Sequence, residues 1–141
     1  MIFETKNSKA TIELGQKLGA LLIKGSIVGF FGNLGSGKTT MIKGVTQGLG
    51  VKELVKSPSF VVVTEYQGKL PVYHIDLYRI IKLNELTEIG FEQYLYGDGV
   101  SLIEWADRAE NLLPENTIKV NIEIINQNQR RITITNFNKQ I

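Results

Sequence analysis

Eight consecutive residues, Gly32-Asn33-Leu34-Gly35-Ser36-Gly37-Lys38-Thr39, match the pattern G-x-x-x-x-G-K-[ST] in full. Each residue type has a chemical use at its position. The glycines let phosphate approach the backbone closely, and successive amide N–H groups then converge on the anion. A helix starting at Lys38 would add the positive end of its dipole. Lys38 supplies a mobile positive charge for terminal phosphates, and the Thr39 hydroxyl suits Mg²⁺. The chemistry is nucleotide phosphate binding.

Phosphate chemistry with Mg²⁺ calls for a carboxylate at the end of a neighbouring buried strand. Val100-Ser101-Leu102-Ile103-Glu104 has that form. His74 and Asp76 lie two apart, so on a strand they share a face. Asp76 could orient an attacking water or support the metal's surroundings, with His74 in a supporting role. A surface pair on an edge strand fits the same spacing equally well. Ser57-Pro58-Ser59-Phe60 reads as a turn before a strand: on its own an ordinary proline turn, and beside a phosphate loop a place where a hydroxyl could sense the γ-phosphate. Trp105, the one tryptophan, directly follows Glu104. Composition alone favours a packing role for it, and its place beside Glu104 makes it an expected reporter of nucleotide.

These residues need elements to hold them. Ser26 to Phe31 is a short run of strand formers, and Lys38 to Leu49 reads as a helix closed by Gly50. The order is therefore strand, glycine loop, helix. An earlier helix is predicted with Ser8 as its cap, Leu14, Leu18, Leu21 and Leu22 at helical spacing, and Gly25 as its stop. Phe60 to Gln67 and Leu70 to Asp76 form a predicted hairpin around Gly68-Lys69. A single helix is predicted over Asn84 to Tyr94, with Leu83, Leu86, Ile89 and Phe91 facing inward. Thr117 to Ile125 and Arg131 to Phe137 alternate around Asn126-Gln127-Asn128-Gln129, a second hairpin. Crossover strands mixed with hairpins imply an α/β fold with a partly antiparallel sheet.

Composition bounds the rest. At 141 residues, one domain over 1–141 is expected. Hydrophobic residues make up 43% and charged residues 21%, which argues against disorder. No apolar run is long enough to span a bilayer and the first residues show no signal pattern, so a cytoplasmic address is the expectation. With no cysteine and one histidine, thiolate chemistry and Cys- or His-pair metal sites are excluded. A net charge of +2 without clustering gives no case for direct nucleic-acid binding.

Four separated segments occur in order: Gly32 to Thr40, Ser57 to Phe60, His74-Ile75-Asp76-Leu77-Tyr78-Arg79 and Ile103-Glu104-Trp105. Together they resemble the TsaE (YjeE) family, P-loop ATPases of tRNA threonylcarbamoyladenosine biosynthesis, over nearly the whole chain. The resemblance implies a P-loop NTPase-like three-layer fold, ATP and Mg²⁺ as cofactors, and TsaD and TsaB as partners, with tRNA met indirectly or weakly. It assigns ATP to Gly35, Ser36, Gly37, Lys38, Thr39 and Thr40, Mg²⁺ to Thr39 and Glu104, and an active-site carboxylate to Asp76. It also brings Ser8, Asp107 and Arg130 to the nucleotide. Two departures are visible: Asn33 replaces the family's usual Asp, and Ser59 replaces its usual Thr, keeping the hydroxyl.

Two other functions stay open on the residues. A small phosphotransferase would close an arginine-bearing lid, and the four arginines at 79, 108, 130 and 131 mark no obvious lid. A nucleotide-dependent adaptor that does not hydrolyse would use the same loop. A GTPase reading fails, because Asn138-Lys139 runs into Gln140 rather than an Asn-Lys-x-Asp reader.

Overall fold

A computed structural model describes residues 1–55, 63–82 and 84–141. The predicted switch at Ser57 to Phe60, and Leu83, lie outside the described residues.

Seven strands form one sheet in the order β1-β7-β6-β2-β5-β4-β3. They are β1 (Ile2–Thr5), β2 (Ile27–Phe31), β3 (Val63–Gln67), β4 (Pro71–Asp76), β5 (Val100–Glu104), β6 (Ile118–Ile124) and β7 (Arg130–Thr135). The four central strands β6, β2, β5 and β4 run parallel. The flanking strands β3, β7 and β1 are antiparallel to their neighbours β4, β6 and β7. Both predicted hairpins are present, the first from Val63 onward because 60–62 lie outside the described residues, and the sheet is mixed as expected.

Alternation along the central strands divides the core into two layers. Val28, Val72, Val100 and Leu102 face one cluster, which also takes Leu14 and Leu18 of α1 (Ser8–Leu21) and Met41, Ile42 and Val45 of α2 (Lys38–Gly48). Ile27, Ile75 and Ile103 face the other, with Leu86 of α3 (Asn84–Glu88), Phe91 and Leu95 of α4 (Phe91–Leu95), and Ala106 and Ala109 of a 3-10 segment, Ala106–Leu112. Helices thus cover both faces, a three-layer α/β arrangement. Each fully buried aliphatic side chain contributes about 1.5–3 kcal/mol. Among the described residues no helix is long and apolar enough to cross a membrane.

The α1–α2 pair fixes where the glycine loop's helix sits. The two helices meet at glycines, Gly15 and Gly19 against Gly44 and Gly48. A Cβ at Gly15 would lie 2.5 Å from Met41 O, and one at Gly19 would collide with Val45 O. Backbones therefore touch directly across this interface.

Three local expectations need correcting, and one element is new. Asn7, not Ser8, caps α1: its Oδ1 accepts the Ala10 N–H at 2.8 Å, and Ser8 is the first helical residue. That helix stops at Leu21, four residues before Gly25. The single helix over Asn84 to Tyr94 is two, because Gly90 takes a left-handed conformation, φ 73°, between α3 and α4. β1 was not foreseen. Gly50 does close α2, at φ 83° with its N–H on Gln47 O.

Candidate functional site

β2 ends at Phe31 and the chain passes through Gly32–Gly37 into α2, as the glycine pattern predicts. Gly35 and Gly37 take φ 79° and 104°, and a Cβ on either would meet nothing within 4 Å. Their freedom serves the backbone path and leaves open space for a ligand. Gly32 differs, since a Cβ there would strike Ser36 Oγ and Ile122 O. The Ser36 side chain is buried, and its Oγ has no hydrogen-bond partner among the described residues.

A cavity of about 370 Å³ opens beside this loop. Gly35, Gly37, Lys38, Thr39 and Thr40 line one part of it, and Asp76 and Glu104 another. Leu34, Tyr78 and Trp105 complete the lining. Strand order explains the meeting of distant residues. β5 lies between β2 and β4, all three parallel, so their C-terminal ends share one edge. Asp76 and Glu104 are register partners there.

Three hydrogen bonds organise the edge. The Thr39 hydroxyl donates to Glu104 Oε1 at 2.5 Å, joining loop to strand. His74 Nε2 lies 3.0 Å from Glu104 Oε2. The Tyr78 N–H donates to Asp76 Oδ1 at 3.0 Å. His74 is fully buried, on a strand with neighbours on both sides. This removes the alternative of a surface pair on an edge strand.

Lys38 is buried to 5% exposure. Its ammonium donates to Gly32 O at 2.6 Å and Asn33 O at 3.0 Å, and stands 3.8 Å above the centre of the Trp105 ring. Burial pushes its pKa down, while Glu104, Asp107 and Asp76 pull it back up. Asp76 is pushed above the ordinary carboxylate range, chiefly by burial and further by Glu104. The Tyr78 N–H, His74 and Lys38 oppose that shift.

Trp105 both packs and lines the cavity. It is partly buried and packs against the second core cluster, and its ring lies 4.9 Å from that of Tyr78. It adopts φ 57°, a rare conformation for a bulky residue. No sequence signal marks that turn. Tyr78 was likewise missed as a cavity residue, although its position two past Asp76 is the spacing of an Asx-type turn.

Ser8, Asp107 and Arg130 do not line the cavity. Ser8 is exposed at the start of α1. Asp107 acts on Lys38 through its charge. Arg130 braces the glycine loop from behind: its Nε donates to Ser36 O at 2.8 Å and its Nη2 to Gly35 O at 3.3 Å. Its Nη1 donates to carbonyls of the β6–β7 turn.

The donor set suits a magnesium–nucleotide complex. Thr39 Oγ1 and Glu104 Oε1 already converge, with Asp76 opposite. Among the described residues no group of three His, Asp or Glu side chains could hold a metal. A cation here would need phosphate oxygens and water to complete its shell, which is how Mg²⁺ binds with nucleotides.

Comparison with known proteins identifies the family. The family model described as threonylcarbamoyl adenosine biosynthesis protein TsaE matches residues 5–132. A Treponema pallidum protein named tRNA threonylcarbamoyladenosine biosynthesis protein TsaE is 37% identical over 130 residues, covering 92% of this chain and 96% of the relative. The Bacillus subtilis protein of the same name is 37% identical over 134 residues, covering 94% and 84%. The crystal structure of Bacillus subtilis YdiB superposes with a TM-score of 0.82 at 32% identity, over 95% of this chain and 83% of that one. With its glycine loop, its paired carboxylates and a match from residue 5 to residue 132, the chain belongs to the TsaE family.

Proposed function

We propose that this chain is the ATP-binding and ATP-hydrolysing component of the machinery that makes threonylcarbamoyladenosine in tRNA, acting in the cytoplasm with TsaD and TsaB counterparts. The observation that carries the reading is the Thr39–Glu104 hydrogen bond, which joins the phosphate loop to a buried strand-end carboxylate in a member of this family. In this reading the amides from Gly35 to Thr40 and the N-terminus of α2 hold the phosphates. Lys38 leaves the carbonyls of Gly32 and Asn33 to meet the terminal phosphates. Thr39 and Glu104 hold Mg²⁺, whose chemistry is neutralisation of developing phosphoryl charge. Asp76, opposite Glu104, orients the attacking water; its raised pKa matches a group that can take a proton from it.

The reading also implies slow turnover by the chain alone. Phosphoryl transfer gains from a cation that stabilises transition-state charge. Arg130 is committed to loop carbonyls, and Arg108 stands 5.9 Å from the Trp105 ring and 5.5 Å from that of Tyr78. Neither of them, nor Arg79, is part of the cavity lining. A docked TsaD–TsaB assembly would complete or order the site, with tRNA met indirectly or weakly. The test is phosphate release by the chain alone, with the purified partners, and with partners plus tRNA. Stimulation by the partners is expected. Fast hydrolysis alone, unaltered by saturating partners, would sink the partner role, and rapid phosphate transfer to a small metabolite would replace the reading with a kinase.

A further inference from the structure

The two oxygens of Glu104 have different partners. Oε1 accepts the Thr39 hydroxyl, and Oε2 faces His74 Nε2 at 3.0 Å. Both side chains are out of solvent, at 0% exposure for His74 and 3% for Glu104. Among the described residues, His74 Nδ1 has no hydrogen-bond partner. An ionised carboxylate only accepts, so the nitrogen facing it must be the one carrying hydrogen. Among the described residues a hydrogen on Nδ1 would be a buried donor without an acceptor, which is costly. The tautomer follows: Nε2–H, with Nδ1 bare.

We propose that His74 is a positioning residue that grips Glu104 Oε2 through Nε2–H and so turns Oε1 toward Thr39 and the divalent cation. This rests on reading Thr39 and Glu104 as the cation's protein ligands. The placement serves that task. His74 pairs in register with Leu102, two residues before Glu104, and Asp76 pairs with Glu104 itself. The imidazole therefore reaches Glu104 from one step behind, on the face that carries α2, and leaves Asp76 beside the cavity. A carboxylate at a strand end has torsions to spare, and one gripped oxygen removes them. Ligands held this way by an outer partner bind metal more tightly.

Two experiments test the role together. The chain contains a single histidine, so nitrogen NMR of the ¹⁵N-labelled imidazole needs no residue assignment. It should find hydrogen on Nε2 and none on Nδ1, and the opposite tautomer would overturn the proposal. The second measures affinity for a fluorescent ATP analogue against Mg²⁺ concentration, and again in EDTA, for the wild type, His74→Leu and His74→Gln. Leucine fills the space without a donor, whereas glutamine can place an N–H near the position of Nε2. His74→Leu should raise the Mg²⁺ concentration for half-maximal effect by about 10- to 100-fold. Its affinity in EDTA should stay close to wild type, and His74→Gln should recover most of the Mg²⁺ response. Equal loss with and without Mg²⁺ would indicate a merely structural role and overturn the proposal. So would a leucine variant with the wild-type Mg²⁺ response. A wild type whose nucleotide affinity ignores Mg²⁺ is a separate outcome: it overturns the cation reading beneath the proposal, and the positioning role with it.

Discussion

The two sides of α2 use glycine for opposite reasons. Toward α1, Gly44 and Gly48 have no room for a Cβ, because the backbone of the neighbouring helix occupies its place. Ahead of Lys38, Gly35 and Gly37 would carry a Cβ into open space, and what they need is a positive φ. One set brings protein against protein, and the other keeps protein away from a ligand. The first fixes the helix axis, and the second shapes the anion-binding end of that same axis. Stability and function are therefore separable along eleven residues of helix.

The largest expected effect breaks function alone. Lys38→Ala removes the loop's mobile charge, a charge-assisted contact worth about 1.5–3 kcal/mol, or roughly 10- to 150-fold in nucleotide affinity. Hydrolysis should be abolished. Thermal stability should hold, since the folded chain already penalises the charged ammonium by burial. A nucleotide titration beside a melting curve checks both halves. Unchanged affinity and turnover would remove Lys38, and with it the loop, from the site.

The complementary break falls on the packing side. Gly19→Ala puts a Cβ into Val45 O, and the two helices must separate to admit it. Overpacking of this kind costs about 1–3 kcal/mol, against a gain of about 1 kcal/mol from alanine's helix propensity. A net loss measured by denaturant unfolding is expected, with nucleotide affinity falling only as far as the α2 axis moves. A stabilised Gly19→Ala protein would show that α1 and α2 do not meet backbone to backbone.

The two glycine sets differ in how legible they are. The loop glycines stand in a contiguous pattern, and the strand, loop and α2 follow from local sequence. Gly44 and Gly48 are just as specific in space, but their reason lies in α1, far earlier in the chain at Ile12, Gln16 and Ala20, and nothing local records it. The same division runs through the fold. Gly68-Lys69 and Asn126 to Gln129 mark both hairpins locally. β1 exists because Ile2 finds Thr133 at the far end of the chain, and its four residues carry little pattern alone. His74 fits a surface edge strand equally well until β3 and β5 are placed on either side of it. Asn7 and Ser8 are both good caps, and only the backbone decides between them.

A smaller effect separates the carboxylates. Asp76 is raised above its ordinary value of about 3.9 by burial first. The folded chain therefore keeps a proton that the unfolded chain has lost. Stability from this group is fully present below the ordinary value and is lost as pH climbs through the raised one. Asp76→Asn abolishes that dependence and keeps an oxygen for the Tyr78 N–H. At neutral pH the variant should melt no lower than the wild type, while its turnover is lost. Melting temperatures of both proteins across acidic to neutral pH test the sign. A wild type that gains stability relative to Asp76→Asn as pH rises through that range would reverse it.

The smallest expected signal is optical, and it reads the loop directly. Trp105 is the chain's single tryptophan, so its emission has one source. The Lys38 ammonium sits 3.8 Å above its ring, a cation–π contact of about 0.5–2 kcal/mol. Terminal phosphates would draw that charge off the ring and off the carbonyls of Gly32 and Asn33. Emission should change on adding ATP with Mg²⁺, and less with ADP, which lacks the phosphate that reaches furthest along the lysine. Lys38→Ala supplies the internal control, because its emission should already differ before nucleotide is added and should respond weakly afterwards. Tyr78, tilted against the same ring at 4.9 Å between centres, gives a second handle: Tyr78→Phe should keep the response, as the ring and the backbone N–H both remain. A flat wild-type titration, under conditions where binding is shown independently, would uncouple Trp105 from the loop. The cation–π contact would then be one more packing interaction, and the functional side of α2 would end at Thr40.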